Sequence, residues 1–233
     1  MNNRDKLLNI FLLLVFFSIP VTGYPVEEET FSRANTELFL TDHLGKINIP
    51  SSLLYDFRKT GTLEEGFNDT VEVRFIEAPA EDVKQVEVVF FTGERSRIVP
   101  PMTVSTGNPV LMMFLQREVN EMDRLTDGHW RHFQKMIKLA LENEAEINEV
   151  KVPYGNQASP GLKIKISPYL EDPKRDEFEK FATRYYEFTL SSEVPGYVYQ
   201  IRTVDPGNDA EDKKTASSEL LLEETLTYRA VAN

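Results

Sequence analysis

His129 and His132 stand three residues apart in a chain with one other histidine, His43. On a helix that spacing puts both rings on one face, the arrangement a metal site uses when carboxylates complete it. Asp123 and Asp127 lie nearby, but a catalytic centre takes three protein ligands, and no His-Glu-x-x-His run occurs. The pair is therefore expected at a solvated helix start. Asp127 is a candidate N-cap, with Trp130 and Phe133 turned to the core. His43, beside Asp42, lacks the Gly-x-Ser-x-Gly elbow of a nucleophilic serine. Neither Gly-x-x-x-x-Gly-Lys nor Gly-x-Gly-x-x-Gly is present, so no nucleotide cofactor is expected, nor any other. Glu64-Glu65, Glu171-Asp172 and Glu223-Glu224 have the residue types of glycoside chemistry. In a chain with 38 acids, adjacent pairs are more simply solvated charge. No residue is assigned a catalytic role.

Methionine is distributed less evenly. Apart from Met1, every methionine falls between 102 and 136: Met102, Met112, Met113, Met122 and Met136. Methionine is flexible and polarisable, and suits surfaces that fit variable apolar partners. At helical spacing Met112 and Met122 share a side and Met113 lies elsewhere. Met112, Met122 and Met136, with Phe114 and Trp130, are the candidate lining of an apolar ligand cleft. The alternative is that they fill an irregular helix–sheet core, with Trp130 buried at the start of the second helix.

Two helices must carry these residues. Asn108 is a good N-cap and Pro109 suits the first helical position. Leu111, Phe114, Leu115, Val119, Met122 and Leu125 recur at helical spacing over 110–125. Trp130, Phe133, Ile137, Ala140 and Leu141 form a second stripe to about Glu144. Before them, period-two alternation predicts strands at 53–59, 70–77, 84–92 and 95–99, the last stopped by Pro100-Pro101. After them, strands are expected at 147–153, 161–167, 186–190, 197–204 and 219–230, with a short helix over 174–183. Val194-Pro195-Gly196 suits a type II turn, and composition predicts a flexible loop over 205–218. Residues 24–36 are polar and acidic and are expected to be loose. Strands in hairpin order with helices inserted as a group predict an α+β domain over 24–233: a curved, mainly antiparallel sheet of about 8–10 strands with the helix pair packed on one face. In outline this resembles the unclosed barrel of bacterial lipoprotein carriers.

Residues 1–23 read as a signal peptide. Arg4 and Lys6 precede an almost unbroken apolar run from Leu7 to Phe17, and Val21-Thr22-Gly23 offers a cleavage site. The run is 11 residues, against about 20 for a bilayer span, so no stable membrane span is expected after cleavage. Losing Arg4, Asp5 and Lys6 takes the net charge from -12 to -13. So acidic a chain is a poor partner for nucleic acid. With no cysteine, thiolate metal sites, thiol nucleophiles and a lipidated cysteine are all excluded.

Asn108-Pro109-Val110-Leu111-Met112-Met113-Phe114-Leu115, with Phe188-Thr189-Leu190-Ser191-Ser192-Glu193-Val194-Pro195-Gly196, resembles an uncharacterised exported proteobacterial protein family. The resemblance implies a bacterial envelope location, periplasmic or extracellular, and carries over no site residue. The expected function is a non-enzymatic, exported binding protein whose partner is an apolar small molecule or an envelope protein. The alternatives are a hydrolase with acid–base residues dispersed in sequence, and a structural accessory subunit.

Overall fold

A computed structural model describes residues 31–76, 84–155, 157–206 and 220–232. The expected leader, 1–23, and nearly all of the expected loop, 205–218, lie outside these residues. In chain order the elements are α1 (Arg33–Asn35, continued by a π-helical turn, Thr36–Leu40), β1 (Ser51–Thr60), β2 (Phe67–Ile76), β3 (Lys84–Phe90), β4 (Arg97–Val104), α2 (Pro109–Leu125) and α3 (Trp130–Asn143). There follow β5 (Glu146–Tyr154), β6 (Gln157–Ile166), α4 (Arg175–Phe178, continued by a 3-10 turn, Glu179–Phe181), β7 (Tyr185–Leu190), β8 (Val198–Asp205) and β9 (Leu222–Ala232).

The nine strands among the described residues form one antiparallel sheet, ordered β4-β3-β2-β1-β9-β8-β7-β6-β5. The chain walks outward from β1 to one edge at β4. It then crosses through α2 and α3 to the other edge at β5, walks back to β8, and places β9 between the two halves. This is an α+β architecture with an antiparallel sheet.

Alternation decides which side of each strand is buried, because successive side chains point to opposite faces. Leu53, Tyr55 and Phe57 of β1, Val71, Val73 and Phe75 of β2, and Val86, Val88 and Phe90 of β3 are buried. They share one core with Ile164 and Ile166 of β6, Phe188 of β7, Ile201 of β8 and Leu226 of β9. Val110, Leu111, Phe114, Val119 and Met122 of α2 belong to the same core, as do Phe133, Ile137, Ala140 and Leu141 of α3. α2 contacts α3 and β3, and α3 contacts β6.

Three local expectations are corrected. Pro100-Pro101 does not stop β4, which runs on to Val104. β4 pairs only with β3, and the register slips between Val86 and Val88, where the two prolines fall. An edge strand with an irregularity tolerates residues that cannot donate to the ladder. The loop expected between 153 and 161 contracts to a tight turn, since Tyr154 pairs with Gln157 and Gly155 takes φ 72°. Of the segment 24–36, expected to be loose, residues 33–36 are helical and begin a run that continues to Leu40, capped by the Ser32 hydroxyl, which accepts from the Asn35 N–H at 3.1 Å.

Asn108 caps α2 as expected, its Oδ1 accepting from the Val110 N–H at 3.1 Å. Its Nδ2 donates to the Tyr55 hydroxyl and to the Gly196 carbonyl, both at 2.9 Å. The Val194-to-Tyr197 turn closes with the Tyr197 N–H on the Val194 carbonyl at 2.8 Å, with Gly196 at φ 74°. A side chain at Gly196 would strike Leu53 and Asn108. The start of α2, the inner strand β1 and this turn are thus tied at one point.

Candidate functional site

The outer side of the helix pair carries an apolar groove of about 670 Å³. Phe31, just before α1, and Phe39 and Leu40 of the π-helical extension line one part; α2 supplies Met112, Met113, Leu115 and Val119; α3 supplies Ile137, Leu139 and Leu141. Four of these are unusually exposed for their type: Phe31 54%, Met112 51%, Leu40 43% and Leu139 41%. Scattered apolar side chains on a surface need no explanation, whereas a concave cluster does. The volume lies within the range of small-molecule sites, about 300–1,000 Å³. Polar groups ring it, and Asn35 Nδ2 donates to Glu142 Oε2 at 2.5 Å across the α1–α3 side.

Of the expected lining residues, the structure brings only Met112 into this groove. Met122 and Phe114 are wholly buried in the core, because they belong to the buried stripe of α2 with Leu111 and Glu118. Met136 is partly buried against that core. Met113, expected in another environment, lines the groove beside Met112. Trp130 is not buried but 37% exposed. It is the first residue of α3 and stacks between His129 and the Arg131 guanidinium, and Phe133, one turn on, takes the core position. Phe31, Leu40 and Leu139 were missed. Phe31 sits in the segment that composition marks as loose, Leu40 lies just beyond it with no element expected there, and Leu139 is a lone apolar residue on a polar helix face.

The histidines have structural work. His129, rather than Asp127, caps α3, its Nδ1 accepting from the Arg131 N–H at 3.2 Å. Asp123 instead accepts from the Trp130 N–H at 2.8 Å. His132 Nε2 lies 2.6 Å from Oδ2 of buried Asp172. His43 is buried and stacked on Tyr197, which itself has φ 63°. Burial lowers its pKa, so its ring is neutral. Among the described residues no three acids or histidines gather as a metal site would need.

Beneath α2 lies a buried ion network that sequence reasoning missed. Its signal is charge at inward positions. Lys59 continues the buried series Leu53, Tyr55, Phe57 of β1, and Glu224 lies between Leu222 and Leu226 of β9. The register sets Lys59 opposite Glu224. Asp205 closes the inward series Ile201, Thr203 of β8, and Arg184 precedes Tyr186 and Phe188. On α2, Glu118 interrupts the stripe between Phe114 and Met122. Arg117 holds Glu224 in a two-pronged pair, with NH2 donating to Oε1 at 3.0 Å and NH1 donating to Oε2, and it also donates to Glu118 at 2.7 Å. Arg184 grips Asp205 bidentately at 2.8 and 2.6 Å and lies 3.6 Å from Glu118. Lys59 donates to Glu64 at 2.5 Å and lies 3.4 Å from Glu224.

Burial and the adjacent Glu224 carboxylate push Glu118 up to about 8. Burial acts the same way on Glu224, but Arg117 and Lys59 outweigh it and bring it down to about 2. At neutral pH the proton therefore sits on Glu118. Lys59, Arg117 and Arg184 are balanced by Glu64, Glu224 and Asp205, which meets the requirement that buried charge be paired. The network pins one side of α2 to β1, β9 and β8 and leaves Met112 and Met113 for the groove. Glu118 lines neither this groove nor the second one described below.

No protein-family model matches this sequence, and no curated protein matches it. No helix among the described residues is long and apolar enough to cross a membrane.

Proposed function

We propose that the chain is a non-enzymatic binding protein of the bacterial envelope, exported by its leader, whose apolar groove takes up an apolar small molecule. The observation that carries this reading is the convergence of Phe31, Leu40, Met112 and Leu139, all exposed, on one concavity of about 670 Å³. Concavity favours a small molecule over an envelope protein, since a stable protein interface needs roughly 800 Å² on each partner. The most perturbed acid pair is sealed: Glu118 and Glu224 are each 1% exposed. A hydrolase needs its acid and base within reach of substrate, so binding is preferred to catalysis. At the level of the fold, the proposal is a curved sheet with the helix pair on one face. Its support is that α2 touches β3, α3 touches β6 and all four feed one core.

Uptake of an uncharged apolar fluorescent dye by the purified protein tests the groove. Saturable binding is expected, weakened about tenfold or more by Met112→Glu or Leu139→Glu, which put a charge against the apolar wall. Both positions are exposed, so the fold is kept. No saturable uptake, or uptake by both variants undiminished from that of the native protein, would overturn the proposal.

A further inference from the structure

A second groove, of about 490 Å³, lies along the other flank of α2 and shares Met113 and Gln116 with the first as common walls. Its lining is unlike that of the acidic chain as a whole. It combines Phe67, Phe90, Phe91 and Val99 with Lys59, Arg95, Arg97, Arg117 and Arg124, against a single acid, Glu121. Three of the cations are neutralised: Lys59 and Arg117 by Glu64 and Glu224, and Arg124 by Glu121 and Glu64.

Arg95 and Arg97 differ. Among the described residues neither has a carboxylate within salt-bridge distance. Arg97 donates only to the Ser96 and Glu94 carbonyls, at 2.7 and 3.4 Å, and the Arg95 guanidinium lies 4.6 Å from the Phe67 ring centroid. Phe91 stands in the same wall with φ 64°, a conformation uncommon for a bulky side chain. Its N–H is bound to the Thr70 carbonyl at 2.8 Å, and its ring packs on those of Phe57, Phe67 and Phe90. Backbone strain of this kind gathers where a surface is built to meet a ligand.

We infer that the ligand is a single-chain amphiphile with one anionic head, whose tail lies in the apolar groove and whose head crosses Met113 and Gln116 to reach Arg95 and Arg97. This rests on the groove reading above and adds the ligand's charge and direction. A guanidinium fork recognises the paired oxygens common to carboxylate, sulfate and phosphate, and the phenylalanine wall accommodates the carbons next to the head.

The test uses the full protein with a fluorescent long-chain polyene fatty acid and its uncharged methyl ester. The acid should bind about tenfold more tightly than the ester, as two exposed charge pairs allow. Raised salt should narrow that gap, and Arg95→Gln with Arg97→Gln should close it. Leu139→Glu should weaken acid and ester alike. Equal binding of acid and ester, or an acid preference that survives the arginine changes, overturns the head site and leaves the apolar groove standing. Acid binding untouched by Leu139→Glu overturns the assignment of the tail. Failure of both probes to bind overturns this inference together with the groove reading.

Discussion

Replacing Glu118 with glutamine keeps the shape of a neutral carboxyl and removes its titration. Folded, Glu118 is pushed up to about 8 by burial and by Glu224; its ordinary value is 4.5. An acid raised in the folded state favours folding fully below its unfolded pKa, and that contribution is lost as pH rises towards the folded value. Between these limits the folded protein holds one proton more than the unfolded chain, so this group alone lowers stability by about 1.4 kcal/mol per pH unit. Integrated from about pH 5.5 to about pH 7.5, the loss is about 2–3 kcal/mol. Glu118→Gln lacks that loss, so its stability relative to the native protein should rise by about this amount over the window. Urea unfolding of both proteins at a series of pH values measures the difference, in which the titrations of groups not coupled to Glu118 cancel, while Glu224, brought down to about 2, stays ionised across this window. A difference flat with pH would mean that Glu118 is ionised in the fold, and the proton assignment would be wrong. Glu224, brought down to about 2, has the opposite sign: its contribution is present above 4.5 and lost as pH falls towards 2.

Other outcomes follow from the same contacts. Arg184→Met leaves Asp205 buried without its bidentate partner and should cost about 3–5 kcal/mol in urea unfolding; a cost under about 1 kcal/mol would contradict the burial of that pair. Phe133→Ala should cost about 3–5 kcal/mol, and Trp130→Ala only about 1 kcal/mol, since Phe133 fills the core and Trp130 caps its edge. The reverse order would restore the expectation that Trp130 is the buried anchor. Asn108→Ala removes a cap and leaves the Tyr55 hydroxyl and the Gly196 carbonyl without their partner, so a loss of about 1–3 kcal/mol is expected, read as a lower thermal midpoint.

Much of the fold could be read from local rules because its strands alternate cleanly. Val71, Val73 and Phe75 need no tertiary knowledge to be placed inward, and Asn108-Pro109 announces α2 by capping chemistry alone. Local rules failed where an edge or a helix end decides the outcome. Pro100-Pro101 stops a central strand but not β4, and only the sheet order makes β4 an edge. Trp130 satisfies the helical stripe, yet at the first turn of α3 the core below is already filled by Phe133. The groove was legible only in part. Helical periodicity places Met112 and Met122 together, but a stripe facing the sheet and a stripe facing solvent look alike until the partner surface is known. The ion network was the clearest missed signal. Lys59, Glu224 and Glu118 each occupy a position that periodicity marks as inward, and charge there means a partner across the core. Its pairing could not be inferred, because β9 pairs on one side with β1, at the opposite end of the sequence.

The groove between α1, α2 and α3 is proposed to hold an apolar small molecule. Native mass spectrometry of the protein purified from its own host tests this most directly. A small molecule of low polarity should be retained, released on denaturation and absent from a Met112→Glu/Leu139→Glu double variant that unfolds at the same temperature as the native protein. Bare polypeptide mass in the native protein, with no apolar ligand taken up on addition, would contradict it.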